Sequence, residues 1–185
     1  ALSGYIIFNG KALARNRSEL TRLLRDVYTS ARFDEKERIR EIIAQIRARR
    51  EQAVTGSGHA LAMGAASQGM SPGAWLSFRL GGLAGIRGTK QLDQALKDPE
   101  ELTALCDKLS ALHEKIGKQG REFLVIGEED QLPAMVDDLK SCWRDASGAG
   151  IAGWKMEPVN YTTREAWLTS TQVNFCSKAY STVAV

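Results

Sequence analysis

Between Thr55 and Ile86 the sequence runs TGSGHALAMGAASQGMSPGAWLSFRLGGLAGI, a stretch of glycine, alanine and serine set among charged amphipathic segments. Residues this small let backbones approach closely, so helices are expected to pack tightest here. The segment before it opens with Asp34 and, three residues on, Glu37, the spacing of a capping box; Ile39, Ile42, Ile43 and Ile46 then recur as a buried helical stripe. That helix should reach about Val54, where Gly56 and Gly58 each weaken it by roughly 1 kcal/mol relative to alanine. Ser71 before Pro72 starts another, carrying Trp75, Leu76, Phe78 and Leu80, and the glycines of Gly81 to Gly85 should end it.

The same signals divide the rest of the chain. Tyr5 to Phe8 is a short β-prone run closed by Asn9-Gly10, which predicts a strand and a tight turn. Asn16 with Glu19 caps a helix over about Arg17 to Ser30, with Leu20, Leu23, Leu24 and Val27 on one face. A turn or two of helix is expected over Lys90 to Leu96. Asp98-Pro99 with Glu101 then starts a helix, with Leu102, Leu105, Leu109, Leu112 and Ile116 along one face, closed by Gly117 and Gly120. Phe123 to Ile126 reads as a central strand covered on both faces, and a further helix spans about Asp130 to Arg144. Asp145 to Thr163 reads as a linker before β structure resumes over Ala166 to Ala179.

Of the 185 residues 43% are hydrophobic and 25% charged, enough for one sizeable core, so one domain or a piece of a larger one is expected. A formal net charge of +3 is far short of the concentrated field of a nucleic-acid binder. Arg38, Arg40, Arg47, Arg49 and Arg50 are interleaved with Asp34, Glu35, Glu37, Glu41 and Glu51, so this helix reads as a solvated face rather than a phosphate stripe. Cys106, Cys142 and Cys176 are far apart and form no C-x-x-C pair, which fits a reducing compartment. No apolar run approaches the roughly 20 residues of a membrane span. The opening without methionine and the extended-looking CSKAYSTVAV end suggest a piece of a longer polypeptide.

No self-contained catalytic constellation is legible. Zinc hydrolysis of peptides needs three protein ligands and a carboxylate to take a proton from the metal-bound water, and the chain has two histidines, His59 and His113. HEKIG at His113 imitates the start of H-E-x-x-H, but Gly117 occupies the second ligand position; HALAM at His59 lacks the Glu-His pair of H-x-x-E-H. His59 is expected to sit hydrogen-bonded inside a helix-packing site. Serine-nucleophile, P-loop and dinucleotide motifs are also missing from the sequence.

KALARN (Lys11 to Asn16), RFDEKER from Arg32, SGHALA around His59, GGLAGI, and the late WLTSTQVNFCSKAY occur in order, and together the chain resembles the non-catalytic C-terminal half of presequence proteases, a branch of the pitrilysin/insulinase zinc metallopeptidases. Lys11, Asn16, Phe33, Asp34, Gly58 and His59 are the signature positions that carry the likeness. The resemblance implies an α+β fold, a helix-rich layer on one face of a small, incomplete β-sheet. It implies a partial third domain over 1–145, a linker over 146–163 and the start of a following β/α domain over 164–185. In this family, zinc and its H-x-x-E-H ligands lie in the N-terminal half, and the C-terminal half closes a peptide-enclosing chamber. Neither H-x-x-E-H nor the family's Gly-Gly-Ala-Tyr motif occurs here, so neither metal nor catalytic residues carry over. No cofactor is expected in this chain, with zinc in the other half of the parent enzyme. Expected partners are that catalytic half of the same polypeptide and a short peptide substrate, not nucleic acid or membrane. The expected compartment is cytoplasm or an organelle matrix. A free-standing helical interaction module without enzymatic activity is the other reading.

Overall fold

A computed structural model describes residues 5–144, 156–169 and 172–181. Among these, seven α-helices follow a short 3-10 turn at Ala14–Asn16: α1 Arg17–Ser30, α2 Lys36–Gly56, α3 Gly58–Ser67, α4 Pro72–Leu80, α5 Leu83–Ala95, α6 Pro99–Gly117 and α7 Leu132–Cys142. Two starts follow directly from local chemistry. Ser71 Oγ accepts the Ala74 N–H at 3.1 Å with Pro72 in the first turn, and Asp98 Oδ1 accepts the Glu100 N–H at 2.9 Å ahead of α6. Two others do not follow their capping patterns. The Asn16 side chain makes no cap bond, and α2 is preceded by Glu35 while Asp34 pairs with Arg32.

Two compact units are distinguishable, one from Glu35–Ala104 and Lys155–Val185, the other from Ser3–Asp34 and Leu105–Trp154. In the first, α2 packs on α5, α5 on α4, and α4 on α3. The small residues make this possible. Gly85 is buried, and a methyl there would overlap the Leu80 carbonyl, so the sharp turn from α4 into α5 needs glycine at that point. Arg50 of α2 donates from Nη1 to the Gly85 carbonyl at 3.1 Å and to Thr89 Oγ1 at 2.6 Å, and Arg47 pairs with Asp93 at 2.7 Å. The expected solvated face therefore holds only in part: Arg38–Glu41 and Arg40–Glu37 are exposed pairs within α2, while Arg47 and Arg50 fasten α2 to α5.

In the second unit α1 packs on α7 around Tyr28, which is 8% exposed. Its hydroxyl donates to the Ile116 carbonyl at 3.0 Å and accepts from Arg121 Nε at 2.9 Å. Phe8 meets the Tyr28 ring edge-on and Trp143 lies 5.4 Å from it. Arg17 of α1 pairs with Asp138 of α7 at 3.0 Å. The inward face of α1 is thus Leu20, Leu24 and Tyr28 rather than the full expected stripe, since Leu23 and Val27 are exposed.

The α+β expectation is overturned. The described residues contain helices and no strand, so no sheet lies under the helices. A strand exists only when its N–H and C=O groups pair with another, and among the described residues neither Tyr5–Phe8 nor Phe123–Ile126 finds such a partner. Instead of being covered on both faces, Leu124 and Ile126 are exposed. The described parts of Ala166 to Ala179 are irregular too, and residues 145–155 of the expected linker lie outside the described residues. Asn9-Gly10 makes no positive-φ turn; Gly10 instead allows the chain to pass Leu20, whose Cδ1 would be 2.7 Å from a methyl there. Where a turn or two was expected near Lys90, α5 runs for 13 residues.

Candidate functional site

Glycine at position 69 lets the segment around Tyr161 return onto the α3–α4 corner. The Tyr161 N–H donates to the Gly69 carbonyl at 2.9 Å, and a methyl at Gly69 would overlap the Tyr161 carbonyl. Gln68, 4% exposed, fixes the register: its Nε2 donates to Glu165 Oε1 at 3.2 Å, and its Oε1 accepts from the Tyr161 hydroxyl at 3.2 Å. Thr163 Oγ1 and Trp167 Nε1 also donate to Glu165, at 2.9 and 2.8 Å. These donors hold the Glu165 carboxyl below the usual range, led by the Trp167 indole N–H. Desolvation opposes the shift, while Thr163, Gln68 and the Arg87 charge add to it.

This anchoring sets Trp167 against α4 and α5. Phe78 meets its ring edge-on at 6.1 Å, and the Arg87 guanidinium lies over its face at 3.9 Å. Next to Phe78 along α4, Arg79 lies over Trp75 at 5.2 Å. Between them runs a shallow groove of about 450 Å³, lined by Gln68, Phe78, Arg79, Ala84, Arg87 and Trp167, with Glu165 at its side. An adjoining recess extends it past Gly88 and Gln91. Among the described residues neither Arg79 nor Arg87 makes a hydrogen bond or ion pair, so both present unpaired N–H donors. The groove's one carboxylate already accepts from three side chains of its own unit.

The signature positions do not assemble here. Lys11 and Asn16 are exposed. Phe33 lies 5.5 Å from the His113 ring, whose Nε2 is 2.7 Å from the Tyr28 carbonyl and therefore donates to it. Asp34 is bound at both oxygens by Arg32, which holds its carboxyl below the ordinary value. Gly58 is buried because the Phe175 ring occupies the space a side chain would need. His59, expected inside a packing site, is exposed on the first turn of α3; its neighbour Gly58 is what packs. The residues of the groove were not singled out by any motif. The Trp75–Arg79 spacing of four on one helix is the one local signal that could have found part of it.

No group of three or more His, Cys, Asp or Glu side chains stands together among the described residues, so they do not fit a zinc site. No helix among them is long and apolar enough to cross a membrane.

Residues 1–92 match the family of segments associated with peptidases of family M16, subfamily C. The chain is similar to presequence protease 1, chloroplastic/mitochondrial, of Arabidopsis thaliana, at 27% identity over 96 residues, 52% of this chain and 9% of that protein. It is 33% identical over 106 residues to the mitochondrial presequence protease of Aspergillus fumigatus, covering 55% of this chain and 10% of the relative. The mitochondrial presequence protease of Danio rerio is 28% identical over 104 residues, 56% and 10% of the respective chains. The matches thus span about a tenth of the length of these relatives. No solved structure matches. The family match over 1–92 and the relatives, which all carry the same name, agree: the chain belongs to the presequence protease branch of the M16 peptidases, as a non-catalytic part from the C-terminal region.

Proposed function

We propose that this chain is part of the wall of a substrate-enclosing chamber in a zinc metallopeptidase that degrades short, unstructured peptides. The metal and its activating carboxylate belong to a catalytic N-terminal half of the same polypeptide. One observation carries the reading: the apolar runs expected to be strands stand uncovered, with Ile7 75%, Leu124 86%, Ile126 82% and Leu168 99% exposed. Apolar surface gains about 25 cal/mol per Å² when removed from water, so such runs favour a covering partner, and further chain of the same enzyme would supply one.

In this reading residues 1–145 belong to the third domain, 146–163 connect, and 164–185 open the next. Zinc supplies a polarised carbonyl and an activated water elsewhere in the enzyme. The wall excludes solvent and holds the peptide, selecting by size and extended conformation more than by side chain. The relatives' names place them in mitochondria or chloroplasts, which supports a reducing organelle matrix for this protein.

The test is complementation. The chain is co-produced with the catalytic half of its parent, and cleavage of a short unstructured peptide is followed. The chain alone should be inert, the catalytic half alone weak, and the pair active and co-eluting. Hydrolysis by the chain alone, or full activity of the catalytic half without it, would overturn the proposal.

A further inference from the structure

The groove beside Trp167 has a chemistry that a mere wall does not need. Arg79 and Arg87 come from successive helices, yet both line one depression, and each guanidinium lies over an indole ring, Arg87 at 3.9 Å from the Trp167 centroid and Arg79 at 5.2 Å from that of Trp75. With no hydrogen-bond or ion-pair partner among the described residues, each guanidinium keeps its N–H donors free for a planar acceptor, and such a fork matches a carboxylate in bidentate fashion. Glu165 does not supply that acceptor. Its oxygens are taken by Gln68, Thr163 and Trp167, and it is not within ion-pair distance of either arginine.

The rest of the lining suggests what carries the carboxylate. Phe78, Ala84 and Trp167 are apolar, and the irregular Arg164–Leu168 segment beside them makes no backbone–backbone hydrogen bond among the described residues. Backbone N–H and C=O groups left without backbone partners can pair with the main chain of an extended peptide. Resting on the reading of this chain as part of a peptide-degrading enzyme, we propose that the groove is a substrate subsite: it binds an extended peptide through a carboxylate held by Arg79 and Arg87, with the adjoining residue against Trp167.

The experiment measures fluorescence anisotropy of a short labelled unstructured peptide on the intact chain. The peptide is used in three forms: with a free C-terminus and an internal glutamate, C-terminally amidated, and with that glutamate replaced by glutamine. Arg79→Gln with Arg87→Gln should weaken binding about tenfold and flatten its salt dependence. Arg79→Lys with Arg87→Lys, which keeps charge but not the planar fork, should fall between. Whichever peptide change weakens wild-type binding should have no further effect on the double glutamine variant; loss on amidation identifies the α-carboxylate, and loss on the glutamate change an acidic side chain. Helix content by circular dichroism must match wild type, since both arginines are exposed and make no hydrogen bond or ion pair among the described residues.

No binding by the wild-type chain, or binding indifferent to both arginines, would overturn the subsite. The failures are separable. Complementation can succeed while the groove is inert, which sinks this proposal alone; a groove that binds peptide in a chain that never complements sinks the enzyme reading instead.

Discussion

The two units hold their helices by opposite means. Around α2 to α5 glycines stand at the points of closest approach, Gly85 among them, and a backbone carbonyl is reached by a side chain of another helix, as when Arg50 bonds the Gly85 carbonyl at 3.1 Å. Around α1 and α7 a few large rings take over: Phe8, Tyr28, Phe123 and Trp143 surround one another, and Arg121 lies 4.7 Å over the Tyr28 ring. Close approach makes a unit intolerant of added atoms; a sparse ring cluster makes one intolerant of removed atoms. Substitutions of opposite sense should therefore be costly in the two places.

Tyr28→Ala tests the ring cluster most severely. It deletes a buried ring touched by Phe8 and Trp143 and leaves the Ile116 carbonyl and Arg121 without their hydroxyl partner. The expected loss is about 3–5 kcal/mol by urea unfolding. Tyr28→Phe keeps the ring and should cost about 1–2 kcal/mol. Equal effects from the two would mean that the hydroxyl, not the ring, holds the unit.

The other unit should respond to addition. Gly85→Ala puts a methyl into the Leu80 carbonyl and should cost about 1–3 kcal/mol. Gly88→Ala, one turn along the same helix with nothing within 4 Å of the new methyl, should instead stabilise by roughly 0.5–1 kcal/mol. A loss at both positions would show that close approach is not the reason glycine stands at Gly85.

This contrast explains what could be seen in advance. The starts of α4 and α6 were legible because Ser71-Pro72 and Asp98-Pro99 carry their caps within three residues. The full length of α5 was not, because Gly85 and Gly88 argue against helix locally, and the bonds from Arg50 to Gly85 and Thr89 come from another element. Phe123 to Ile126 reads as a strand by its apolar run, but pairing is non-local and periodicity cannot supply a partner. The same distance hid the groove. Gln68 and Glu165 are 97 positions apart, and neither belongs to a motif. The family signature, by contrast, was legible in order along the chain, although its residues fall in both units and gather no common site.

Arg50 sharpens the comparison from the polar side. Arg50→Met retains most of the stem but removes a charged donor from the Gly85 carbonyl and from Thr89 Oγ1, and should cost about 1.5–3 kcal/mol in the same urea assay. Thr89 Oγ1 still donates to Gly85 at 2.9 Å, which places the effect nearer the lower figure. A neutral outcome would assign the α2–α5 contact to its small side chains alone.

Acid should separate the units by the smallest effect. Glu165 has its carboxyl lowered by the Trp167 indole N–H and, more weakly, by Thr163, Gln68 and Arg87. A carboxyl lowered in the native state binds fewer protons than in the unfolded chain. Its contribution is therefore fully present above the ordinary glutamate range near about pH 4.3, and is lost as pH falls through the lowered native value. Asp34, in the other unit, is lowered by Arg32 but fully exposed, so solvent screening leaves it little weight. Hydrogen exchange of the Tyr161 amide, bonded to Gly69 at 2.9 Å, reports the affected segment directly. Wild type should be more protected than Glu165→Gln at neutral pH, and the two should converge in acid, while amides of α1 and α7 show no such difference. Equal protection of the Tyr161 amide at neutral pH would mean that Gln68 and Gly69 hold the returning segment without Glu165.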